Sequence, residues 1–226
     1  MNILITGGGC EEPIDSVRSI CNVSTGKTAA RIARCILAAD SSVRITALAA
    51  EKAEKPEDSR CTVRTFRTFA DLFRLMKEEC ERGQYDAVIH AAAVSDYSPE
   101  SVVIDGTAFP CGAVQKIDSR SSILIHMKRN PKIIESVKKW TGSSCVLFGF
   151  KLTSSASEKE RDDAVQKMLA AKNPPDFVAA NDLSEITPEH HPFKLYSKDG
   201  FFSDCASVPE LSAAILNIIQ NRHGHS

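Results

Sequence analysis

Three consecutive glycines, Gly7 to Gly9, follow a short apolar run and are the first residues of the chain whose type suggests chemistry. Glycines there let main-chain amides approach a phosphate closely, and the N-terminus of a following helix adds a favourable dipole. A plain tight turn is the alternative. The spacing matches no dinucleotide fingerprint, because Glu12 stands where its third glycine belongs. It matches no Walker A loop either, because Cys21 stands at the first glycine of that motif.

Arg18 and Asn22 are the functional candidates in the polar stretch 11–25 that follows the glycines. A guanidinium group can bind a phosphate or a carboxylate through two parallel hydrogen bonds. A positioned amide can donate to a developing oxyanion in acyl chemistry. Helix capping and ordinary loop hydrogen bonds are the alternative for both residues.

Further candidates stand at the ends of later apolar runs. In the segment 90–97, small residues leave room for a sugar or a ring, and Asp96 can accept from ribose hydroxyls or help to hold a metal ion. Lys116 and the basic segment 128–131 are placed to bind triphosphate oxygens. The alternative for the segment 90–97 is a buried strand end, and the alternative for Lys116 and 128–131 is a run of solvated charges.

Alternating strands and helices are needed to bring these segments together. Short apolar runs predict strands at 2–6, 43–48, 61–66, 87–92, 123–127, 145–150, 177–180 and 193–196. Amphipathic spacing predicts helices that start after Ser24 or Thr25 and at 69–76, 132–139, 157–171 and 208–221. This order predicts a single α/β domain over 1–226, with a Rossmann-like, open, mainly parallel sheet and helices on both faces. Ligands of such sheets bind beyond the carboxyl ends of the strands. The segment 98–122 lacks periodicity and is expected to be a long flexible loop over the active site.

Composition excludes several classes of protein. The 226 residues carry a net charge of −1, which argues against binding to nucleic acid or to an anionic membrane surface. No stretch reaches the length of a membrane span, and the N-terminus does not resemble a signal peptide. Eight scattered cysteines and six histidines show no metal-ligand spacing. We expect a cytoplasmic protein with reduced, mostly buried thiols.

The order of the motifs resembles the phosphopantothenate–cysteine ligase family over nearly the whole chain. The motifs that carry the resemblance are Ile5-Thr6-Gly7-Gly8-Gly9, Glu12 to Ile20, Asn22 to Lys27, Ala91 to Tyr97, Lys116-Ile117, Asn130-Pro131-Lys132, Gly149 to Leu152 and Ala180-Asn181-Asp182. The resemblance implies the stand-alone form, without a flavin-binding decarboxylase domain. Cys10 and Cys21 stand where many relatives have hydroxyl residues, and activity is still expected because both side chains are small.

The reaction that the resemblance implies joins 4′-phosphopantothenate to L-cysteine through an acyl nucleotide. A nucleoside triphosphate, CTP or ATP, is consumed with Mg²⁺, and pyrophosphate is released. The implied catalytic residues are Asn22, Lys116 and Arg18, and the implied substrate-binding residues are Arg18, Asn22 and Ala93. The implied nucleotide-binding residues are Gly7, Gly8, Gly9, His90, Ala91, Ala92, Asp96, Lys116, Lys128, Arg129, Asn130, Pro131, Phe150, Lys167 and Lys172. The metal ligands are not identified, and a homodimer is implied.

Two other functions stay open at this stage. One is an NAD(P)-dependent oxidoreductase, against which the missing third glycine and the absence of an acidic residue at the end of the second strand argue. The other is a nucleotide-binding regulator that has lost catalysis.

Overall fold

The computed structural model describes residues 1–112, 115–119, 121–187 and 189–223. The strands are β1 (Asn2–Gly7), β2 (Glu11–Pro13), β3 (Ser19–Cys21), β4 (Arg44–Ala50), β5 (Cys61–Phe66), β6 (Ala87–His90), β7 (Tyr97–Ile104), β8 (Thr107–Pro110), β9 (Ile123–Arg129), β10 (Val146–Thr153), β11 (Phe177–Asp182), β12 (Phe193–Ser197) and β13 (Gly200–Cys205). The helices are α1 (Lys27–Ala39), α2 (Phe69–Arg82), α3 (Ile134–Thr141), α4 (Glu158–Leu169) and α5 (Val208–His223).

The central sheet has eight strands in the order β13-β12-β11-β10-β6-β1-β4-β5. The six strands from β11 to β5 are parallel, and β12 and β13 form an antiparallel edge. Along β1, Ile3 and Ile5 pack into a cluster with α1 and α5, whereas Leu4 packs into a cluster with α2 and α3. Strands buried on both faces are continuous apolar runs, and this explains why the sequence marks them clearly. The predicted α/β, mainly parallel sheet with helices on both faces is confirmed.

Helix α1 begins differently from the prediction. Neither Ser24 nor Thr25 caps it; the N-cap is Gly26, with a left-handed φ of 72° and no side-chain cap. A Cβ on Gly26 would lie 2.7 Å from the Cβ of Ala53 and 3.3 Å from the amide nitrogen of Gly8. The helix start is therefore pressed against the glycine turn, where only glycine fits.

The segment 98–122 is only in part the irregular loop that we expected. Residues 98–104 and 107–110 belong to the strands β7 and β8, which pair with β9 in a separate antiparallel sheet of order β8-β7-β9, whereas the described residues between 111 and 122 form no strand or helix. The turn between β7 and β8 is Asp105-Gly106, with φ of 46° and 87°, which is the positive-φ dipeptide that tight hairpins require. Pro99 stands beside an irregularity in the pairing with β9, where its missing amide is tolerated.

Two more hairpins differ from the expected loops. Strands β2 and β3 pair within the polar stretch that was predicted to be a loop. A turn after β12 leads into β13, a strand that was not predicted from the sequence. The other predicted strands and helices are present, with ends shifted by a few residues. No helix among the described residues is long and apolar enough to cross a membrane.

The thiols are more exposed than expected. Cys10, Cys80, Cys145 and Cys205 are buried, three others are partly exposed, and Cys21 is exposed. Burial raises the pKa of Cys10 to about 11 and that of Cys80 to about 12. The expectation of mostly buried thiols therefore holds for half of the eight.

Candidate active site

Three segments meet at the carboxyl ends of β1 and β6. The glycine turn after β1 pairs with the segment after β6 through a parallel bridge between Gly9 and Ala93. The amide of Ala93 donates to the carbonyl of Gly8 at 2.8 Å, and the amide of Cys10 donates to the carbonyl of Ala93 at 3.1 Å. The amide of Asn22 donates to the carbonyl of Cys10 at 3.0 Å. The predicted glycine, Asn22 and Ala93 segments therefore form one surface.

The glycines of this turn are needed for packing. A Cβ on Gly9 would lie 1.9 Å from the carbonyl oxygen of Asn22. A Cβ on Gly8 would lie 2.6 Å from the Cβ of Ala50, and Gly8 has a φ of 88°. A Cβ on Gly7 would lie 2.6 Å from the Cβ of Ala29. Close packing against neighbouring residues is thus sufficient reason for all three glycines, whatever they bind.

The side chain of Asn22 is exposed and oriented by its neighbours. Its Oδ1 accepts from the hydroxyl of Ser95 at 3.2 Å, and its Nδ2 has only a long contact of 3.5 Å with the carbonyl of Val94. Because Oδ1 is held as an acceptor, the orientation of the amide group is fixed. The same stretch of chain exposes the apolar side chains of Val17, Ile20 and Val23.

Arg18 binds the segment that contains Lys116. Its Nη1 donates to the carboxylate of Asp15 at 2.6 Å, and its Nη1 and Nη2 donate to the carbonyl of Ile117 at 3.1 and 3.2 Å. The amide of Ile117 donates to the same Asp15 carboxylate at 3.1 Å. Two of the three predicted catalytic residues, Arg18 and Lys116, are thereby brought into one neighbourhood. The side chain of Lys116 is exposed.

His90 is buried where the resemblance implies a nucleotide contact. Its Nδ1 lies 3.0 Å from the Thr6 hydroxyl, which also accepts from the amide of Ala92 at 3.1 Å. Burial lowers the pKa of His90 from 6.5 to about 4, so the ring is neutral near pH 7. His90 therefore fixes the strand end through Thr6 and offers no positive charge.

Asn130 is also buried and hydrogen bonded to the protein. Its Nδ2 donates to the carbonyl of Ser95 at 3.0 Å and to the hydroxyl of Ser98 at 2.8 Å. The Ser98 hydroxyl in turn donates to the carboxylate of Glu12, which accepts from the first amide of α2, that of Phe69, at 2.7 Å. This network positions the segment around Asp96. Sequence reasoning gave Glu12 and Ser98 no role; only the first belonged to a recognised motif.

The other residues that were predicted to bind the nucleotide differ in their position and in their burial. Asp96 is exposed at the end of the β6 segment and forms an ion pair with Lys132. Lys128, Arg129 and Pro131 are exposed at the end of β9, and Arg129 is paired in register with Tyr97. Phe150 is partly buried against Phe193, with 6.2 Å between ring centroids. Ala91 and Ala92 lie beside His90 and are partly buried.

Lys167 and Lys172 lie apart from the glycine turn. Lys167 is exposed in the last turn of α4, and Lys172 is exposed beyond its end. Helix α4 leads from the carboxyl end of β10 back to the amino end of β11, so its last turn points away from the ligand-binding edge of the sheet. The fold does not bring these two lysines to Asn22.

A cavity of about 510 Å³ lies between α4 and the strands β10 to β13. It is bordered by Lys151, Arg161 and Lys194 and by carboxylates such as Asp162 and Asp204. Neither the glycine turn nor Asn22 borders it, so we place the site by its hydrogen bonds and not by cavity size. Among the described residues, no group of three or more His, Cys, Asp or Glu side chains is placed to hold a metal ion.

Comparison with known proteins agrees with these features. A family model described as "DNA/pantothenate metabolism flavoprotein C-terminal domain" matches residues 1–221. The bifunctional coenzyme A biosynthesis protein CoaBC of Thermococcus kodakarensis is 28% identical over 197 residues, covering 87% of this chain and 45% of that protein. CoaBC of Methanocaldococcus jannaschii is 30% identical over 184 residues, covering 81% of this chain and 41% of that protein. The chain thus spans about half the length of these curated relatives.

Solved structures agree with the family match. The DNA/pantothenate metabolism flavoprotein from Streptococcus pneumoniae has a TM-score of 0.85 and 31% identity, covering 98% of this chain and 99% of that one. A Cab2 mutant, H337A, in complex with phosphopantothenate-cysteine has a TM-score of 0.77 at 16% identity, covering 99% of this chain and 88% of that one. The second likeness supports the fold alone. The chain belongs to the DNA/pantothenate metabolism flavoprotein C-terminal domain family.

Proposed function

We propose that this protein is a ligase of coenzyme A biosynthesis that joins 4′-phosphopantothenate to L-cysteine. The carboxylate of the first substrate attacks the α-phosphorus of a nucleoside triphosphate, and pyrophosphate leaves. The cysteine amine then attacks the acyl carbon, and the nucleoside monophosphate leaves with the amide bond formed. The observation that carries the proposal is the oriented, exposed amide of Asn22 at the junction of the glycine turn and the Ala93 segment.

Asn22 suits the acyl-transfer step. Its Oδ1 is occupied by Ser95 and its Nδ2 makes only one long contact, with the carbonyl of Val94, so Nδ2 has an N–H left to donate to the carbonyl oxygen, which gains negative charge when the amine attacks. The apolar side chains of Val17, Ile20 and Val23 give the hydrocarbon part of an acyl substrate a surface to contact. Arg18 and Lys116 supply positive charge, which the encounter of a carboxylate with a triphosphate requires.

The nucleotide is assigned to the surface formed by the glycine turn, the Ala91–Asp96 segment and Lys116. Mg²⁺ bound to a triphosphate takes most of its ligands from phosphate oxygens and water and few from the protein. The exposed carboxylate of Asp96 would supply one such protein ligand. The ion supplies charge neutralisation to the phosphates; the choice between CTP and ATP is left to the assay below.

We also infer a homodimer formed through the small sheet. Both β8 and β9 are edge strands, and they expose apolar side chains, namely Phe109, Ile123, Leu124 and Met127. An exposed edge of this kind is a template for pairing with another chain. Sedimentation equilibrium is expected to give twice the chain mass, and Leu124→Lys to give the monomer mass. Leu183→Lys, which changes an exposed leucine outside the small sheet, is the control; a monomeric wild-type protein contradicts the inference.

The test of the activity is pyrophosphate release with 4′-phosphopantothenate, L-cysteine and Mg²⁺, run in parallel with CTP and ATP. We expect turnover that requires all three substrates, with one nucleotide preferred. Asn22→Ala is expected to lower the rate of cysteine ligation by about 10²- to 10³-fold, the usual effect of losing one oxyanion donor, and to leave nucleotide binding intact. Asn217→Ala, on the exposed face of α5, is the matched control.

Two outcomes would refute the ligase. Tight NAD(P) binding without pyrophosphate release would favour an oxidoreductase on the same sheet. Nucleotide binding without turnover in the presence of all substrates would favour a regulator. Unchanged turnover of Asn22→Ala would remove Asn22 from its assigned role.

A further inference from the structure

Asp15 is a buried carboxylate to which the motifs assign no task. Its side chain is fully shielded from solvent. Oδ1 accepts from the amides of Val17 and Arg18 at 2.8 and 2.7 Å, which closes the turn between β2 and β3. Oδ2 accepts from the Arg18 guanidinium at 2.6 Å and from the amide of Ile117 at 3.1 Å. One carboxylate therefore joins a local turn to a segment about a hundred residues away.

Arg18 completes the connection. Its two terminal nitrogens donate to the carbonyl of Ile117, while Asp15 accepts from the amide of the same residue. Both main-chain polar groups of Ile117 are thus held by one ion pair. We call this arrangement of Asp15, Arg18 and the Ile117 backbone the clasp. Charge-assisted hydrogen bonds in a buried place are about twice as strong as neutral ones.

The side chain of Ile117 fixes the same point from the other side. It is buried in a small apolar cluster with Ile14 and Val102, against which Ile104 and Ile125 pack. The clasp and this cluster together define the position of the peptide bond between Lys116 and Ile117. The exposed Lys116 side chain extends from that fixed bond.

We propose that Asp15 is a positioning residue that sets the place of Lys116 and keeps Arg18 beside it. The inference rests on the proposed function, because it gives Lys116 a triphosphate to bind. The clasp also connects the two halves of the proposed reaction, because Arg18, four residues before Asn22, is assigned to the acyl substrate and Lys116 to the nucleotide. Loss of the clasp should therefore weaken the binding of the nucleotide more than the binding of cysteine.

The substitution Asp15→Asn isolates this effect. The amide oxygen can keep the acceptor role of Oδ1 within the turn. The amide nitrogen would replace Oδ2 and face two donors, the guanidinium of Arg18 and the amide of Ile117, so the clasp opens. Glu11→Gln is the matched control, because Glu11 is a carboxylate of the same hairpin whose side chain, among the described residues, bonds only Lys52, Arg67 and Ser19.

The experiment combines kinetics with limited trypsin digestion of the full chain. Asp15→Asn is expected to raise the KM for the nucleotide by about 10- to 100-fold, the range for one lost hydrogen bond to a charged group, with the KM for cysteine changed less than threefold. Trypsin is expected to cut after Lys116 at least tenfold faster than in the wild type, because the amide of the scissile bond is no longer held. Glu11→Gln should match the wild type in both measurements.

The outcomes separate the clasp from general destabilisation and from the proposed activity. A lower kcat with an unchanged nucleotide KM would mean only a smaller folded fraction and would overturn the proposal, as would an unchanged rate of cutting after Lys116. If Asp15→Asn does not fold, Arg18→Lys replaces it: lysine can still pair with Asp15 but cannot donate twice to the Ile117 carbonyl, so faster cutting is again expected. If the wild type releases no pyrophosphate, the proposed function fails, and the digestion alone decides whether the clasp exists.

Discussion

The substitution Gly9→Ala tests the packing of the site most directly. The added Cβ would lie 1.9 Å from the carbonyl oxygen of Asn22 and 2.9 Å from its carbonyl carbon. Real contacts of this kind are not shorter than 3.0 Å, so the Asn22 carbonyl must move by about 1 Å. Gly9 does not have the positive φ of Gly8 or Gly26, so the backbone itself accepts alanine. Gly9→Ala is therefore expected to act by displacing the Asn22 carbonyl and not by straining the backbone of residue 9.

The size of the effect follows from that displacement. Insertion of a methyl group into a packed interior costs about 1–3 kcal/mol of the free energy of unfolding. A misplacement of about 1 Å at a reacting group costs on the order of 10²-fold in rate. We therefore expect Gly9→Ala to lose about a hundredfold of the kcat/KM of pyrophosphate release and to unfold at a lower urea concentration.

A control separates the two effects. Gly142, after α3, has a φ of 83° and open space where its Cβ would be, so Gly142→Ala strains the backbone without touching the site. It should cost about 1 kcal/mol of stability and leave kcat/KM unchanged. The reasoning fails if folded Gly9→Ala keeps the wild-type kcat/KM within twofold.

Three further predictions concern the buried groups. Phe148→Ala removes a fully buried ring that stacks on Phe177 and should lower the free energy of unfolding in urea by about 3–5 kcal/mol; a loss below 1 kcal/mol would contradict the assigned packing. His90→Gln removes a ring whose pKa falls from 6.5 to about 4 on folding. Between these pH values the unfolded chain binds a proton that the folded chain does not, so the wild type should lose about 2 kcal/mol of the free energy of unfolding from pH 7 to pH 5, and the variant should not, when both are unfolded in urea. Asp182→Ala leaves the amides of Ser155 and Ala156 without their buried acceptor and should cost about 3 kcal/mol in the same assay, whereas a neutral result would show that water replaces the carboxylate.

The parallel sheet could be predicted because its strands are buried on both faces. The strand Ala87–His90 is an uninterrupted buried run, and such runs are visible without any knowledge of the fold. The hairpin β7–β8 was missed although Asp105-Gly106, flanked by Val102 to Ile104, is a strong hairpin signal. The prolines and serines around it concealed the alternation. Strand β13 was missed because its exposed Phe201 and Phe202 do not alternate with polar residues.

The site was predicted in part for a similar reason. Loops after neighbouring parallel strands must meet, so the meeting of the glycine turn with the Ala93 segment follows from the order of strands. The burial of the His90 and Asn130 side chains could not be predicted from the order of the strands, because it depends on the tertiary packing. The clasp could not be predicted from the sequence, because the amide and carbonyl of Ile117 are main-chain groups and carry no information about residue type.

The exposure of Cys21 gives the protein a built-in attachment point for a probe. Of the eight cysteines, all within the described residues, Cys21 alone is exposed, and it directly precedes Asn22. The thiolate is the reactive form, and burial raises the pKa of Cys10, Cys61 and Cys80 to about 11 or above, which keeps those thiols protonated at neutral pH. A maleimide dye used in limiting amount should therefore react first at Cys21. Its fluorescence would then report the arrival of ligands at the amide of Asn22 in the unmutated chain.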